Sequence, residues 1–304
     1  MKKLKVGGLL EGSEISLGCW RIAKLSQNEA TRLVAAALAE GIDFFDNADI
    51  YGGGACEEIF GRAVKELGAR DSILIQTKCG IRSGYYDFSK EHILEAVDGS
   101  LKRMGVGTID VLLLHRPDTL MEPEEVAEAF DRLENAGKVR YFGVSNHNPG
   151  QMRLLQKYCG QKLIANQLQL SLTNATMIDA GLNVNMLHDP ALVRDGGVLE
   201  YCRLNGITIQ AWSPLQYGVF EGTFMDNNEK FGPLNDKLRQ YAEAKGVSKS
   251  AVAFAWLLRH PAKIQVIAGT TDAGRLKSLC AASGVSLNRQ EWYDLYLSAG
   301  KKLP

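Results

Sequence analysis

Eight times along this chain a short aliphatic or β-branched run gives way to a polar or glycine-rich loop and then to a longer amphipathic stretch. The runs lie at 15–18, 42–45, 73–76, 109–114, 139–144, 163–166, 207–211 and 264–267. Most lack strict alternation of apolar and polar residues, as strands do when both faces are covered, and this favours a parallel sheet. Helical patterns fill the intervals. Residues 28–40 carry Leu33, Val34, Ala37 and Leu38 along one face and stop at Gly41. Ser89 is placed to cap a helix with Glu91 in its first turn, and Pro123, Glu124 and Glu125 open another that ends at Gly137.

No composition shift or linker divides residues 1–304, so the alternation predicts one domain, a closed (β/α)8 TIM barrel. A doubly wound open sheet is the alternative, but the loop after the first run lacks a G-x-G-x-x-G phosphate loop. Three regions lie outside the repeat. Residues 3–13 read as a β-hairpin turning at Gly7-Gly8 or at Glu11-Gly12. Residues 288–299 read as a terminal helix carrying Trp292, Tyr293, Leu295 and Tyr296. The segments 171–197 and 213–232 read as long loops of the kind that form functional lids.

Composition narrows the functional classes. Lys plus Arg and Asp plus Glu are balanced at 35 each, without a basic stripe, which argues against nucleic-acid and membrane-surface binding. The apolar fraction of 45% supplies a large core. The first residues have no apolar region of a secretory signal, and the apolar stretch 251–258 is too short to span a bilayer. Six scattered cysteines form no C-x-x-C pair and five histidines no H-x-H, so the expectation is a cytoplasmic protein with reduced thiols and no metal.

In a parallel barrel, residues at the C-terminal ends of the strands converge on one rim, where catalysis takes place. The positions that follow the runs include Asp46 with Tyr51 in the same loop, Lys78, His115, Ser145-Asn146 and Gln167. Each has an ordinary structural explanation. An Asp after a strand caps a helix, a Tyr before glycines packs a loop, and a lone Lys or His is solvated or bonds a strand end. Together they place four proton-active groups on neighbouring strands.

This set resembles the aldo-keto reductases. Residues 41–52, Gly-Ile-Asp-Phe-Phe-Asp-Asn-Ala-Asp-Ile-Tyr-Gly, followed by Lys78 and by Leu-Leu-Leu-His115, match the Asp, Tyr, Lys and His of that family in order and spacing. Gly143-Val-Ser-Asn146, Asn166-Gln167, Trp212-Ser-Pro-Leu215 and Gly269-Thr270 with Arg275 match its cofactor positions. The likeness runs through nearly the whole chain, hairpin included. It implies carbonyl reduction in which a nicotinamide cofactor supplies a hydride and the protein a proton. Tyr51 is then the general acid. A free phenol, with a pKa near 10, gives up its proton slowly at neutral pH, and a neighbouring Lys78 held charged by Asp46 is expected to lower that value. His115 is expected to donate to the substrate oxygen.

The resemblance also assigns the cofactor side. Ser145, Asn146 and Gln167 would hold the carboxamide, Trp212 would stack on the nicotinamide, and Ser213 and Leu215 would meet the pyrophosphate. Gly269, Thr270, Thr271 and Arg275 fall at the adenosine end. Arg275 suits the 2′-phosphate of NADPH, although Gly269-Thr270 stand where part of the family has Lys-Ser, and Asp272 leaves NADH open. Trp20, Tyr86 and Phe220, with Tyr85, Phe88, Tyr217 and Phe224 near them, would wall a pocket for a small carbonyl substrate, and Arg21 would serve either the substrate or the cofactor.

Two rivals stand. A class I aldolase would use Lys78 as a Schiff base, which needs a neutral amine that Asp46 opposes. A cofactor-carrying subunit like the potassium-channel β subunits would bind without turnover, and this chain, starting almost at the barrel, offers no inactivating extension. Oligomeric state is open.

Overall fold

A computed structural model describes residues 1–219 and 221–304. Phe220, expected in the substrate wall, lies outside the described residues. Strands β1 (Lys3–Val6) and β2 (Leu10–Ser13) pair antiparallel and turn at Gly7-Gly8, so Glu11-Gly12, the other candidate turn, lies within β2. The barrel consists of β3 (Ile15–Gly18), β4 (Phe44–Asp46), β5 (Leu74–Cys79), β6 (Ile109–Leu114), β7 (Val139–Ser145), β8 (Leu163–Gln169), β9 (Thr208–Trp212) and β10 (Gln265–Ala268). They pair in sequence order, all parallel, and β10 closes on β3.

Helices α1 (Gln27–Ala39), α2 (Ala55–Glu66), α3 (Lys90–Met104), α4 (Pro123–Asn135) and α5 (Pro149–Tyr158) follow β3 to β7 in turn. Then α6 (Thr176–Leu182) and α7 (Val198–Leu204) follow β8, α8 (Asn228–Lys245) and α9 (Lys249–Leu258) follow β9, and α10 (Ala273–Cys280) and α11 (Arg289–Ser298) follow β10. Ser26 caps α1 through a reciprocal pair with Glu29, and Ser89 caps α3 as expected by accepting from the backbone of His92. The helices bury their apolar faces on the outer wall of the barrel in one continuous core. The segment 171–197 is not a structureless loop, because α6 folds within it, and α8 begins inside the expected loop 213–232.

The hairpin lies across the N-terminal end of the barrel. Val6 and Leu10 pack on Phe44, Val111, Leu113, Ile164 and Ala165, a separate apolar cluster inside the barrel. Gly7 donates to Thr208 Oγ1 at 2.9 Å and turns with φ +61° against β8, where a Cβ would fall 2.4 Å from that of Ile164. Only glycine fits there. Because side chains alternate along a strand, the position two residues beyond each floor residue points into the barrel one layer higher. Phe44 is thus followed by Asp46, Leu74 by Gln76 and Lys78, and Ala165 by Gln167. The barrel changes from apolar at its floor to polar at its rim.

Candidate active site

Asp46 ends β4, Lys78 lies within β5 rather than after it, and His115 directly follows β6. Tyr51 opens a short 3-10 turn, Tyr51–Gly54, in the loop after β4, with Gly52 and Gly53 at positive φ. This places all four side chains at one side of the rim. Lys78 is fully buried and its ammonium has acceptors on every side. It lies 2.7 Å from Asp46 Oδ1 and 2.9 Å from Oδ2, donates to the carbonyl of Asn47 at 2.7 Å, and donates to the Tyr51 hydroxyl oxygen at 3.1 Å. Burial pulls the ammonium down, but Asp46 and Tyr51 outweigh it and hold the Lys78 pKa above the ordinary lysine value.

The phenol departs from expectation. Burial pushes Tyr51 up, Lys78 opposes it, and the balance lies above the ordinary tyrosine value. Desolvation of the phenolate exceeds its attraction to the ammonium. The hydroxyl accepts from Lys78, so its own hydrogen is left to donate into the cleft. His115 stands edge-on to the Tyr51 ring, 5.8 Å between centroids and 77° between planes. Burial, and then Lys78 and Arg116, hold its imidazole well below the ordinary histidine value, so it is neutral and carries one N–H. Among the described residues neither ring nitrogen has a hydrogen-bond partner, and Nδ1 is buried.

A cavity of about 860 Å³ opens over this group. It is lined by Trp20, Tyr51 and His115, by Ser145, Asn146, Gln167, Trp212, Ser213 and Leu215, and by Gly269, Thr270 and Arg275. Lys78, buried behind Tyr51 and Asp46, does not line it, and neither do Thr271 and Tyr86. Tyr86 pairs with Ile81 in an isolated antiparallel bridge and is largely exposed, because the loop after β5 folds back on itself. Of the other aromatic candidates, Phe88 is buried against Gly80 and stacks on His147, Phe224 belongs to the core, and Tyr217 packs on Phe231. Trp20 faces Tyr51 at 6.4 Å between ring centroids.

The carboxamide candidates are tied to one another. Ser145 Oγ donates to the carbonyl of Gln167 and accepts from Asn146 Nδ2, while Asn146 Oδ1 accepts from Trp212 Nε1 at 3.2 Å. Asn146 and Ser213 both hold positive φ, 60° and 49°, at the ends of β7 and β9. Non-glycine residues in that region carry strain of the kind found at binding sites.

Polar residues that the sequence reading passed over lie beneath. Gln76 Nε2 donates to Asp46 Oδ1 at 2.6 Å and to Gln210 Oε1 at 2.9 Å, and Gln210 Nε2 donates to Gln265 Oε1 at 2.8 Å. Gln167 also donates to Asp46, at 3.1 Å. The signal available was a glutamine within an otherwise aliphatic strand, repeated in three strands. Among the described residues no group of His, Cys, Asp and Glu could hold a metal ion, and no helix is long and apolar enough to cross a membrane.

Comparison with known proteins agrees with this fold. The model of the Aldo/keto reductase family matches residues 14–296. A 6-dehydroglucose reductase of Agrobacterium fabrum is 38% identical over the full length of both chains. A solved glycerol dehydrogenase of Gluconobacter oxydans superposes with a TM-score of 0.81 at 25% identity, covering 97% of this chain and 94% of its own. More distant is a probable voltage-gated potassium channel subunit beta of rice, 29% identical over 88% of this chain and 86% of its own.

Proposed function

The chain belongs to the aldo/keto reductase family, and we propose that it reduces an aldehyde or ketone to the alcohol with NADPH, Tyr51 supplying the proton. The observation that carries this reading is the Asp46–Lys78–Tyr51 chain of hydrogen bonds, which ends in a phenolic hydrogen free to point at a ligand. The cleft fits a dinucleotide. Its volume lies within the usual range for cofactor sites, and Gln167 Oε1 has no donor among the described residues, as an acceptor for a carboxamide N–H requires.

When bound, the dihydronicotinamide supplies a hydride to the carbonyl carbon. The side chains do the rest. Neutral His115 donates its N–H to the carbonyl oxygen and orients it, and the Tyr51 hydroxyl donates to the same oxygen. As negative charge grows there, that oxygen becomes a stronger base than a phenolate, so even a raised phenol releases its proton to it. The phenolate left behind is stabilised by the Lys78 ammonium at 3.1 Å and regains a proton from solvent. A raised Tyr51 therefore suits the role: it holds its proton until the alkoxide forms.

Arg275 favours NADPH over NADH. Its guanidinium is exposed at the start of α10 and has no protein acceptor among the described residues, whereas Asp272 spends its carboxylate capping the helix through Arg275 N at 2.7 Å. The aldolase reading fails on Lys78, whose surrounding acceptors keep it charged and without the lone pair a Schiff base needs. The complete hydrogen-bond chain likewise favours turnover over a purely carrying role. A cytoplasmic setting belongs to the same reading, and the six free, buried cysteines suit it. NADPH consumption over a panel of aldehydes and ketones tests the proposal. Tyr51→Phe should lower turnover by about 10²- to 10⁴-fold while NADPH still binds, and undiminished turnover in that variant would remove the tyrosine from its role.

A further inference from the structure

Arg116 follows His115 past the end of β6 and lines the same cleft. Its guanidinium lies over the Trp212 ring, 5.7 Å from the centroid, and the residue is half-buried. Among the described residues it makes no hydrogen bond and no ion pair. The other charged groups of the cleft are engaged or distant. Asp46 is held by Lys78, Asp226 is paired with Lys249, and Arg21 donates to the carbonyl of Gly269 at 3.1 Å. Arg275 follows β10, which stands four places from β6 in the ring of eight strands and so on the opposite side of the barrel.

Beside His115 the cleft thus carries, in Arg116, a positive charge with no protein acceptor among the described residues, whereas Arg21 has at least the carbonyl of Gly269. The Arg116 guanidinium offers five donors at the cleft wall that no acceptor among the described residues takes up, so they are free for a ligand. We infer that Arg116 binds a carboxylate on the substrate, so that the preferred substrates are oxo acids, with the carboxylate a few bonds from the carbonyl that meets Tyr51 and His115. This rests on the reductase reading and names the substrate class for the same site. A carboxylate presents two oxygens in the geometry of the guanidinium fork, and a neutral aldehyde presents no such pair. Contact with the Trp212 ring restrains the guanidinium, so less freedom is lost when the pair forms.

The test compares 4-oxobutanoate with butanal, equal in length and differing in charge, using the full chain with NADPH. The wild type should show at least about a tenfold higher kcat/KM for 4-oxobutanoate; Arg116→Leu should erase that preference chiefly through KM, and Arg116→Lys should restore part of it. Binding of 4-hydroxybutyrate and of 1-butanol, followed by tryptophan fluorescence with and without NADP, gives a readout that needs no turnover. The acid should bind more tightly to the wild type and lose that advantage in Arg116→Leu. Equal handling of charged and neutral ligands by the wild type overturns the inference, as does a better kcat/KM for glyceraldehyde than for 4-oxobutanoate. Loss of NADPH affinity in Arg116→Leu with the preference intact also overturns it, assigning the guanidinium to the cofactor. If no carbonyl is consumed, the reductase reading fails on its own, and the acid–alcohol binding comparison still decides Arg116.

Discussion

Gln76 donates its side-chain amide to Asp46 Oδ1 at 2.6 Å from a position two residues before Lys78, on the same face of β5. One strand therefore supplies both the ammonium that faces Tyr51 and the amide that fixes the carboxylate aiming that ammonium. The amide is anchored from below by Gln210, which donates back to Gln76 Oε1 at 3.0 Å.

Gln76→Leu should leave Asp46 short of one charged hydrogen bond and lower kcat by about tenfold, with NADPH affinity unchanged. A merely structural role would leave the pH profile alone. A positioning role predicts that the acidic group seen in the kcat profile moves, because Asp46 sets the field on Lys78 and Tyr51. Superimposable profiles for the two proteins would refute the positioning role.

Lys78→Met strands a buried carboxylate. Unfolding in urea should show a loss of about 3–5 kcal/mol, and adding Asp46→Asn should recover a large part of it. Additive losses in the double variant would mean that the two residues do not act as a pair.

Arg275→Ala should raise the Kd for NADPH by about tenfold or more and leave NADH binding nearly unchanged, since only the former carries a phosphate for the guanidinium to meet. Parallel losses for both cofactors would remove Arg275 from the 2′-phosphate.

Acid should weaken the fold. Burial holds His147 and His260 down to about 4 and His115 well below its ordinary value. These rings are neutral when folded and take up protons near pH 6.5 when unfolded, so their stabilisation is complete above about 6.5 and falls as the pH drops toward 4. Asp49, pushed up to about 6 by burial and by Glu57, works in the opposite sense below about 6, but it is one group against four, since burial lowers His92 as well. The denaturant midpoint should therefore fall between about pH 6.5 and 4.5, less steeply in His147→Gln. A midpoint that rises over that interval would contradict the sign.

The barrel was legible because strands covered on both faces leave eight aliphatic runs at regular intervals. The same property hid where those strands end. Without alternation nothing marks the last residue, so Lys78 read as a loop residue although β5 runs on to Cys79. Gln76 was passed over for the same reason, as the polar end of a run rather than a side chain pointing inward. The four rim residues could be read from their order, since a parallel barrel brings every strand end to one side. Tyr86 and Phe88 could not be separated from Trp20, because aromatic character carries no direction and the fold-back of their loop depends on contacts distant in sequence. The direction of the Tyr51 shift was likewise beyond reach, since it turns on how much water the surrounding walls exclude.

Val6 and Leu10 cork the lower end of the barrel, and Gly7 turns tightly enough to seat the cork against Ile164. Among the described residues, access is then left to the upper rim. On the proposed reading cofactor and carbonyl share that mouth, as in a vessel filled and emptied from the top.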